Sequence, residues 1–433
     1  MNILLIGSGG REHALAKKLT SSPEVKLYAA PGNPGIFHYA TSAHINPAHH
    51  SEVLEFCKEH GIEFVVIGPE APLAAGLADD LRSSDIAVFG PSREAARLES
   101  SKAFAKDFML RHGIPTAQYR VFNEHEHNEA RDYVAQHSLP IVIKADGLAA
   151  GKGVTVAETH RHALEALDAA FDGKFGTAGR SVVVEEFMQG EEASVFAICD
   201  GERFLTLATA QDHKRIGDGD TGENTGGMGA YAPAPIVTPN ILRDVEERII
   251  APTLQGMKAE GKSFVGCLYV GLMIDPNGTS RVVEFNTRFG DPETQAVLAV
   301  LDGNLALLLY SAAVGKLETS SVKNVANGVA CCVVLAAGGY PGEVRKGDEI
   351  TDIEKAEKVG GGASVFHAGT ALHSHDDGTT SLCTNGGRVL GVTASASTLE
   401  EAIRRCYEAV KLVHFRGKTY RTDIGAKGLW RKG

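Results

Sequence analysis

The sequence predicts a multidomain chain, α/β at its start and α+β beyond, on three observations. Its 433 residues, at roughly 150 per domain, make about three domains. In the first part short apolar runs alternate with amphipathic helices, the pattern of a doubly wound parallel sheet. After about residue 115 strands predominate, with few helices between them. A composition of 43% hydrophobic and 22% charged residues is that of a globular protein and excludes disorder, collagen and a small disulfide scaffold.

Strands are expected over 3–6, 26–30, 64–67 and 87–89. Helices are expected over 12–19, 52–60 and 73–82, with Pro72 at the start of the last. Each strand runs into a Gly or Pro loop (GSGG, APGNPG, GPEAP, GPS), and ligands of such sheets bind where those loops gather. Ser92 should cap a helix reaching about residue 112, stopped by Gly113 and Pro115, that bridges to a second domain. Strands follow over 141–145, 154–156, 182–187, 193–199 and 204–208, with one clear helix, 160–171. The glycine-rich stretch 211–231 shows no periodicity, and loops that long are usually lids or binding loops. A helix from Thr238 to about 260, a hairpin of 264–274 with 281–286 turned at Asp275 to Gly278, and two apolar helices over 293–314 complete the middle. The third region opens with an apolar strand, 329–336, and closes with a helix running from the Thr398/Glu401 capping box to 413. The domain boundaries expected are 1–103, 104–325 (with a lobe at about 124–192) and 326–433.

Forty-three basic against 54 acidic residues leave a net charge of −11, which argues against nucleic acid or a membrane surface as partner. No apolar run approaches the ~18 residues of a membrane span. The start MNILLIGSGG lacks the basic region of a signal peptide. Seven scattered cysteines without a C-x-x-C fit a reduced, cytoplasmic protein better than a disulfide or metal framework.

Several motifs carry chemistry. GSGGREH follows a strand and opens a helix, an arrangement that binds phosphate at a helix N-terminus. Glu12 stands where the dinucleotide fingerprint needs a third glycine, so a phosphate or phosphosugar on Gly9, Gly10 and Arg11 is the better reading. A formal phosphate-loop match at 256–263 lies in the wrong order, helix before strand, and is a decoy. Lys144 ends an apolar strand ahead of a glycine-rich flap, 145–153, a setting suited to nucleotide phosphates. The strand before Glu185, Glu186 and Phe187 leads to a hinge with carboxylates at Glu191 and Glu192. The densest signal is 283–293. Period-two alternation puts Glu284, Asn286 and Arg288 on one face, with Val283 and Phe285 toward the core. Hard oxygen ligands so spaced suit Mg²⁺ with phosphate oxygens.

The motifs GSGGREHAL, APGNPG, VIGPEAPLAAG, IVIKADGLAAGKGV, VVEEFMQGEEAS, HKRIGDGDTGENTGGMGAYAP and EFNTRFGDPETQ cover nearly the whole chain. In them the sequence resembles the phosphoribosylamine–glycine ligase (glycinamide ribonucleotide synthetase) family of the ATP-grasp superfamily. The resemblance implies an N-terminal Rossmann-like phosphosugar-binding domain, a two-lobed ATP-grasp core and a small C-terminal α+β domain. It implies an ATP-dependent ligase joining glycine to 5-phosphoribosylamine through glycyl phosphate, giving glycinamide ribonucleotide, ADP and phosphate in purine (IMP) biosynthesis. Lys106, Lys144 and Glu192 would then contact ATP under a flap holding Gly151 and Gly153, with Glu185, Glu186 and Phe187 at the adenine hinge. Glu284 and Asn286 would hold Mg²⁺ or Mn²⁺. Gly9, Gly10 and Arg11 would meet the phosphosugar, with Asn33, Pro34, Gly35 and Glu70 as further substrate contacts. Arg288, Asp291 and Lys214 would do the chemistry, while Thr225, Gly226, Gly227 and Met228 of the long loop approach glycine and its acyl phosphate. Small molecules only, no nucleic acid and no membrane, are the implied partners of a cytoplasmic monomer. Three other readings stay open: a related carboxylate–amine ligase or carboxylase with a different acceptor, a silent nucleotide-binding module, and an NAD-linked oxidoreductase, which Glu12 opposes.

Overall fold

The computed structural model describes residues 1–148, 153–174, 176–324 and 328–430. Five parallel strands open the chain: β1 (Asn2–Gly7), β2 (Lys26–Pro31), β3 (Thr41–Ser42), β4 (Phe64–Ile67) and β5 (Ala87–Phe89). Their order is β3-β2-β1-β4-β5. Alternation sorts the apolar side chains of β1 to two cores. Leu4 and Ile6 pack with Leu73 and Leu77, whereas Ile3 and Leu5 share a core with Leu305, Leu308 and Leu309 of the helix Leu305–Ala313. The N-terminal sheet is therefore seated on the middle of the chain through a dry apolar face.

Two four-stranded antiparallel arrangements form the middle. Tyr119–Asn123, Ser181–Glu186, Ile141–Ala145 and Val154–Ala157 lie side by side in that order. Phe204–Thr206, Glu191–Asp200, Val265–Ile274 and Ser280–Asn286 form the second sheet. A third sheet runs Gln211–Asp212, Gly229–Ala232, Val329–Ala336, Arg388–Ala396, Ser364–His367. Its first two strands come from the long glycine-rich stretch, so the sheet is not drawn from 326–433 alone.

Several expectations are corrected. The helix expected from Ser92 to about 112 is two helices, Arg97–Ser100 and Lys102–Arg111. Ser101 is extended (φ −138°, ψ 110°) and its side chain caps the second by accepting from Phe104 N. The helix expected over 73–82 is likewise split, into Glu70–Ala75 and Leu77–Arg82, by Gly76 at φ +91°. A helix the sequence reading missed, His127–Gln136, and the strand Tyr119–Asn123 precede Lys144. The stretch 211–231 is no open loop: besides its two strands in the third sheet it contains the hairpin Arg215–Gly217 with Thr221–Asn224. Arg421, fully buried, holds that hairpin's tip through Asp220 Oδ1 at 2.8 Å and Arg215 O at 3.2 Å. Val283 is not a core residue. A register shift opposite Gly271 and Leu272 bulges the strand there, so Val282 and Phe285 turn inward and Val283 is half-buried.

Candidate functional site

The two middle sheets bring the lysines together. Lys144, at the end of Ile141–Ala145, and Lys106, on Lys102–Arg111, are both buried, and each Nζ lies 3.0 Å from Glu185 Oε2. Lys106 also donates to Thr116 Oγ1 at 2.8 Å, and Lys144 to the bulge carbonyl of Val283 at 3.2 Å. Burial pulls the Lys106 pKa down to about 8 against the pull of Glu185. Glu185 Oε1 is buried with no hydrogen-bond partner among the described residues, an acceptor that a ligand donor would satisfy. Glu186, expected beside it, turns away: its Oε1 accepts from Gln118 N at 3.0 Å and Arg281 Nη1 at 2.7 Å. Phe187, where the strand ends, is 37% exposed and offers a flat apolar face. Gly153 precedes the strand Val154–Ala157, its carbonyl accepting from Ala145 N at 2.9 Å; Gly151 lies outside the described residues.

Past the bulge, Glu284 and Asn286 face the same way. Burial would raise the Glu284 pKa, but Lys214, Lys144, Lys102 and Arg288 together hold it below the ordinary carboxylate value. Among the described residues its carboxylate takes no hydrogen bond, so an ionised oxygen pair is available to a cation. Asn286 Oδ1 accepts from Arg288 Nη2 at 3.1 Å. Lys214 is paired with Glu192. Burial opposes its charge, yet Glu192, Asp212 and Glu284 keep its pKa well above normal.

Arg288 is clasped by residues from the first hundred. Its Nε lies 3.3 Å from Glu70 Oε2 and its Nη2 2.9 Å from Glu99 Oε1. Its Nη1 donates to Phe289 O at 3.1 Å. Glu99 is fixed in turn by Thr287 N at 2.7 Å. Glu70, assigned from the sequence to a substrate, is here a partner of Arg288.

The glycine turn departs from expectation most. Gly9 N donates to Glu12 Oε2 at 2.7 Å, and Arg11 N approaches Asp291 Oδ2 at 3.5 Å. Protein carboxylates thus sit at the helix end expected to hold phosphate. The Arg11 guanidinium is buried, with Nε on Glu12 and Nη1 donating to Phe289 O at 3.0 Å, so it is no free fork for a phosphate. Gly10 is covered as well, since a Cβ there would meet Gln295 Nε2 at 2.7 Å. Asp291 also accepts from Gln295 Nε2 at 2.9 Å. Burial would raise its pKa; Arg388 and Arg11 keep it low. Asn33 is spent on structure, donating to Ser8 O (2.8 Å) and His367 O (2.9 Å) and accepting from Ile36 N (2.9 Å). Pro34 is half-buried beside it, and a Cβ on Gly35 would lie 2.3 Å from the His13 ring. Thr225 Oγ1 donates to Lys214 O at 2.8 Å, and Met228 is fully buried, so neither side chain addresses the cleft. Gly227 lies against Pro292 and the Asp291 carbonyl, and Gly226 against Arg388.

Sequence reasoning missed Lys102, Asp212, Glu99 and Arg388. Lys102 stands one helical turn before Lys106, and Asp212 two residues before Lys214, spacings that place each pair on one face. Lys102 donates to Gly147 O at 2.8 Å at the base of the flap. Burial raises the Asp212 pKa, with Glu293 and Glu192 adding to it.

The chain is similar to known proteins. The family model described as phosphoribosylglycinamide synthetase, N domain, matches residues 1–99; its ATP-grasp (A) domain matches 100–294 and its C domain 330–427. The phosphoribosylamine–glycine ligase of Brucella melitensis is 52% identical over 433 residues, covering 100% of this chain and 99% of its own. That of Vibrio cholerae is 47% identical over 436 residues, covering 100% and 99%. The crystal structure of phosphoribosylamine–glycine ligase from Thermotoga maritima is 35% identical and aligns with a TM-score of 0.80 over 98% of this chain and 100% of its own. Biotin carboxylase from Campylobacter jejuni shares the fold at 15% identity, with a TM-score of 0.71 over 97% and 92%. The chain belongs to the phosphoribosylglycinamide synthetase family.

Proposed function

We propose that the protein is an ATP-dependent ligase that joins glycine to 5-phosphoribosylamine, releasing glycinamide ribonucleotide, ADP and phosphate in purine synthesis. The observation that carries this is the buried lysine pair on Glu185, whose Oε1 has no partner among the described residues, joined through Lys144 to the bulge beside Glu284. Lys106 and Lys144 hold the ATP phosphates, and the orphaned Glu185 Oε1 accepts a donor from the nucleotide. Glycine's carboxylate attacks the γ-phosphate, and the amine of phosphoribosylamine then displaces phosphate from the acyl carbon. Such chemistry needs positioning and charge neutralisation more than an enzyme nucleophile.

Glu284 and Asn286 would hold a divalent cation, Mg²⁺ or Mn²⁺, which would supply charge neutralisation at the transferring phosphoryl group. Asn286 Oδ1, which accepts from Arg288 Nη2 at 3.1 Å, has a second lone pair for that cation, and Arg288 faces glycine or the acyl phosphate. Lys214 and Gly226–Gly227 face the same reaction centre. The phosphosugar enters at the glycine turn by taking Arg11 N from Asp291, a contact of 3.5 Å too long to be costly to exchange. The division at about 103 and 325 is kept for the three domains. Seven unpaired, buried cysteines support a reducing, cytoplasmic setting, and the monomer expected from the sequence is checked by sedimentation. The test is ADP release with each substrate omitted in turn. ADP release requiring both glycine and phosphoribosylamine is expected, and release indifferent to either overturns the reading.

A further inference from the structure

Arg388 is the first residue of the strand Arg388–Ala396 in the third sheet, and its guanidinium lies where three segments meet. Nη1 donates both to Gly226 O at 2.6 Å and to Asp291 O at 2.7 Å, while Nη2 stands 3.6 Å from Asp291 Oδ2. The guanidinium lies against Gly226: a Cβ there would be 3.0 Å from Cζ and 3.3 Å from Nε and Nη2. From the same part of the chain comes Tyr340, whose Oη accepts from Gly226 N at 3.0 Å. Its ring covers Gly387, where a Cβ would be 2.3 Å from Cδ2. On the far side Gly227, at φ +110°, leaves no room either, since a Cβ would fall 2.5 Å from Pro292 Cδ. Both the amide and the carbonyl of Gly226 are thus gripped by the C-terminal region, and the group gripping the carbonyl grips Asp291 as well.

We propose that Arg388, assisted by Tyr340, is a positioning residue: it locks the glycine-rich segment 213–229 in register with Asp291, and so sets the acyl-transfer half of the site. The inference rests on the reading that this segment and Asp291 meet glycine and its acyl phosphate. Arg388 does not need to touch a substrate to act. Its partners are two backbone carbonyls and a carboxylate arranged around one planar fork, a geometry that a lysine ammonium cannot reproduce. The lysines on Glu185 belong to a different sheet and to the helix Lys102–Arg111, so a shift at Gly226 leaves them where they are. The sequence encodes the lock as glycines at 226 and 387, where a side chain would collide with Arg388 or Tyr340, and at 227, where it would collide with Pro292.

The experiment compares steady-state constants of the full chain, wild type against Arg388→Ala, Arg388→Lys and Tyr340→Phe, with thermal melts alongside. A misplacement of about 1 Å can cost a hundredfold in rate. In Arg388→Ala we expect kcat/KM for glycine to fall by at least about tenfold and KM for ATP to stay within about twofold. Arg388→Lys should fall nearly as far. Millimolar guanidinium added to Arg388→Ala should recover part of the loss, since it refills the missing fork; a merely structural defect would not respond. Tyr340→Phe should lower glycine kcat/KM in the same sense by a smaller factor while its melting temperature holds. Unchanged glycine constants in Arg388→Ala overturn the proposal. So does a parallel fall in the ATP and glycine constants without guanidinium recovery. If Arg388→Ala does not fold, Tyr340→Phe decides, and unchanged glycine constants there overturn it. Wild-type ADP release that ignores glycine would instead retire the ligase reading, before any variant is compared.

Discussion

Replacing Glu284 by glutamine keeps the side chain's volume and removes its charge. Four cations surround it: Lys214, Lys144, Lys102 and Arg288. At an effective dielectric constant of about 20, one unit charge at ~4 Å is worth about 4 kcal/mol. The variant therefore unbalances the cluster as well as removing half of the expected protein ligation. Metal neutralisation of the transferring phosphoryl group supplies several kcal/mol. Losing about 2.7 kcal/mol of it at ~1.4 kcal/mol per decade gives a fall of about a hundredfold in kcat. The assay is single-turnover ADP formation at varied Mg²⁺, alongside a thermal melt. The expected result is a slow step whose half-saturating Mg²⁺ has risen, in a folded protein. The pH dependence supplies a second readout. Because the folded value lies below the ordinary 4.5, the ionised Glu284 contributes stability above that pH, lost as pH falls through the folded value. In Glu284→Gln the acid loss of stability should be shallower. A folded variant with near-normal turnover at limiting Mg²⁺ would refute the reasoning.

Three further outcomes are expected. Lys106, with a pKa near 8, should lose its charge as pH rises, so KM for ATP climbs above about pH 8 in the wild type and stays flat in Lys106→Arg, whose guanidinium keeps its charge. Stability moves oppositely: from about 8 toward the ordinary 10.5, the unfolded chain binds the extra proton, and this group's contribution to stability rises. Gly227→Ala must place a Cβ at φ +110° and 2.5 Å from Pro292 Cδ; strain and overlap should cost about 1–3 kcal/mol, seen as a lower melting temperature. Ser101→Ala removes the cap of Lys102–Arg111 and should cost about 1 kcal/mol in denaturant unfolding; an unchanged midpoint would mean the cap is idle.

How much of this was legible follows from what each signal depends on. The buried strands β1, β2, β4 and β5 were plain because parallel strands read as continuous apolar runs. Glu284 and Asn286 share a face as alternation predicts, whereas Val283 leaves the core for a reason the sequence hides. The bulge at Val283 needs Gly271 and Leu272 on the opposite strand, and such a partner is invisible to local alternation. The split at Ser101 was missed because its flanks favour helix on either side, and only the backbone at Ser101 departs. At Arg11 the sequence hid what its neighbour does. Glu12 was seen only as a missing glycine, whereas its carboxylate fills the turn and takes both Gly9 N and Arg11 Nε. Glu70 and Glu99 emerge as a clasp on Arg288 only when segments about two hundred residues apart meet, and periodicity says nothing about such pairs.

The third sheet has a consequence for how the protein is made. Gly229–Ala232 pairs on one side with Gln211–Asp212 but finds its other hydrogen-bonding neighbour in Val329–Ala336, nearly a hundred residues later. Until the ribosome has released that segment, one side of Gly229–Ala232 is an open edge inviting foreign strands. The lysine pair on Glu185 needs no such wait, since every part of it is encoded before residue 187. In the nascent chain this ion-paired cluster should therefore assemble before the third sheet can close.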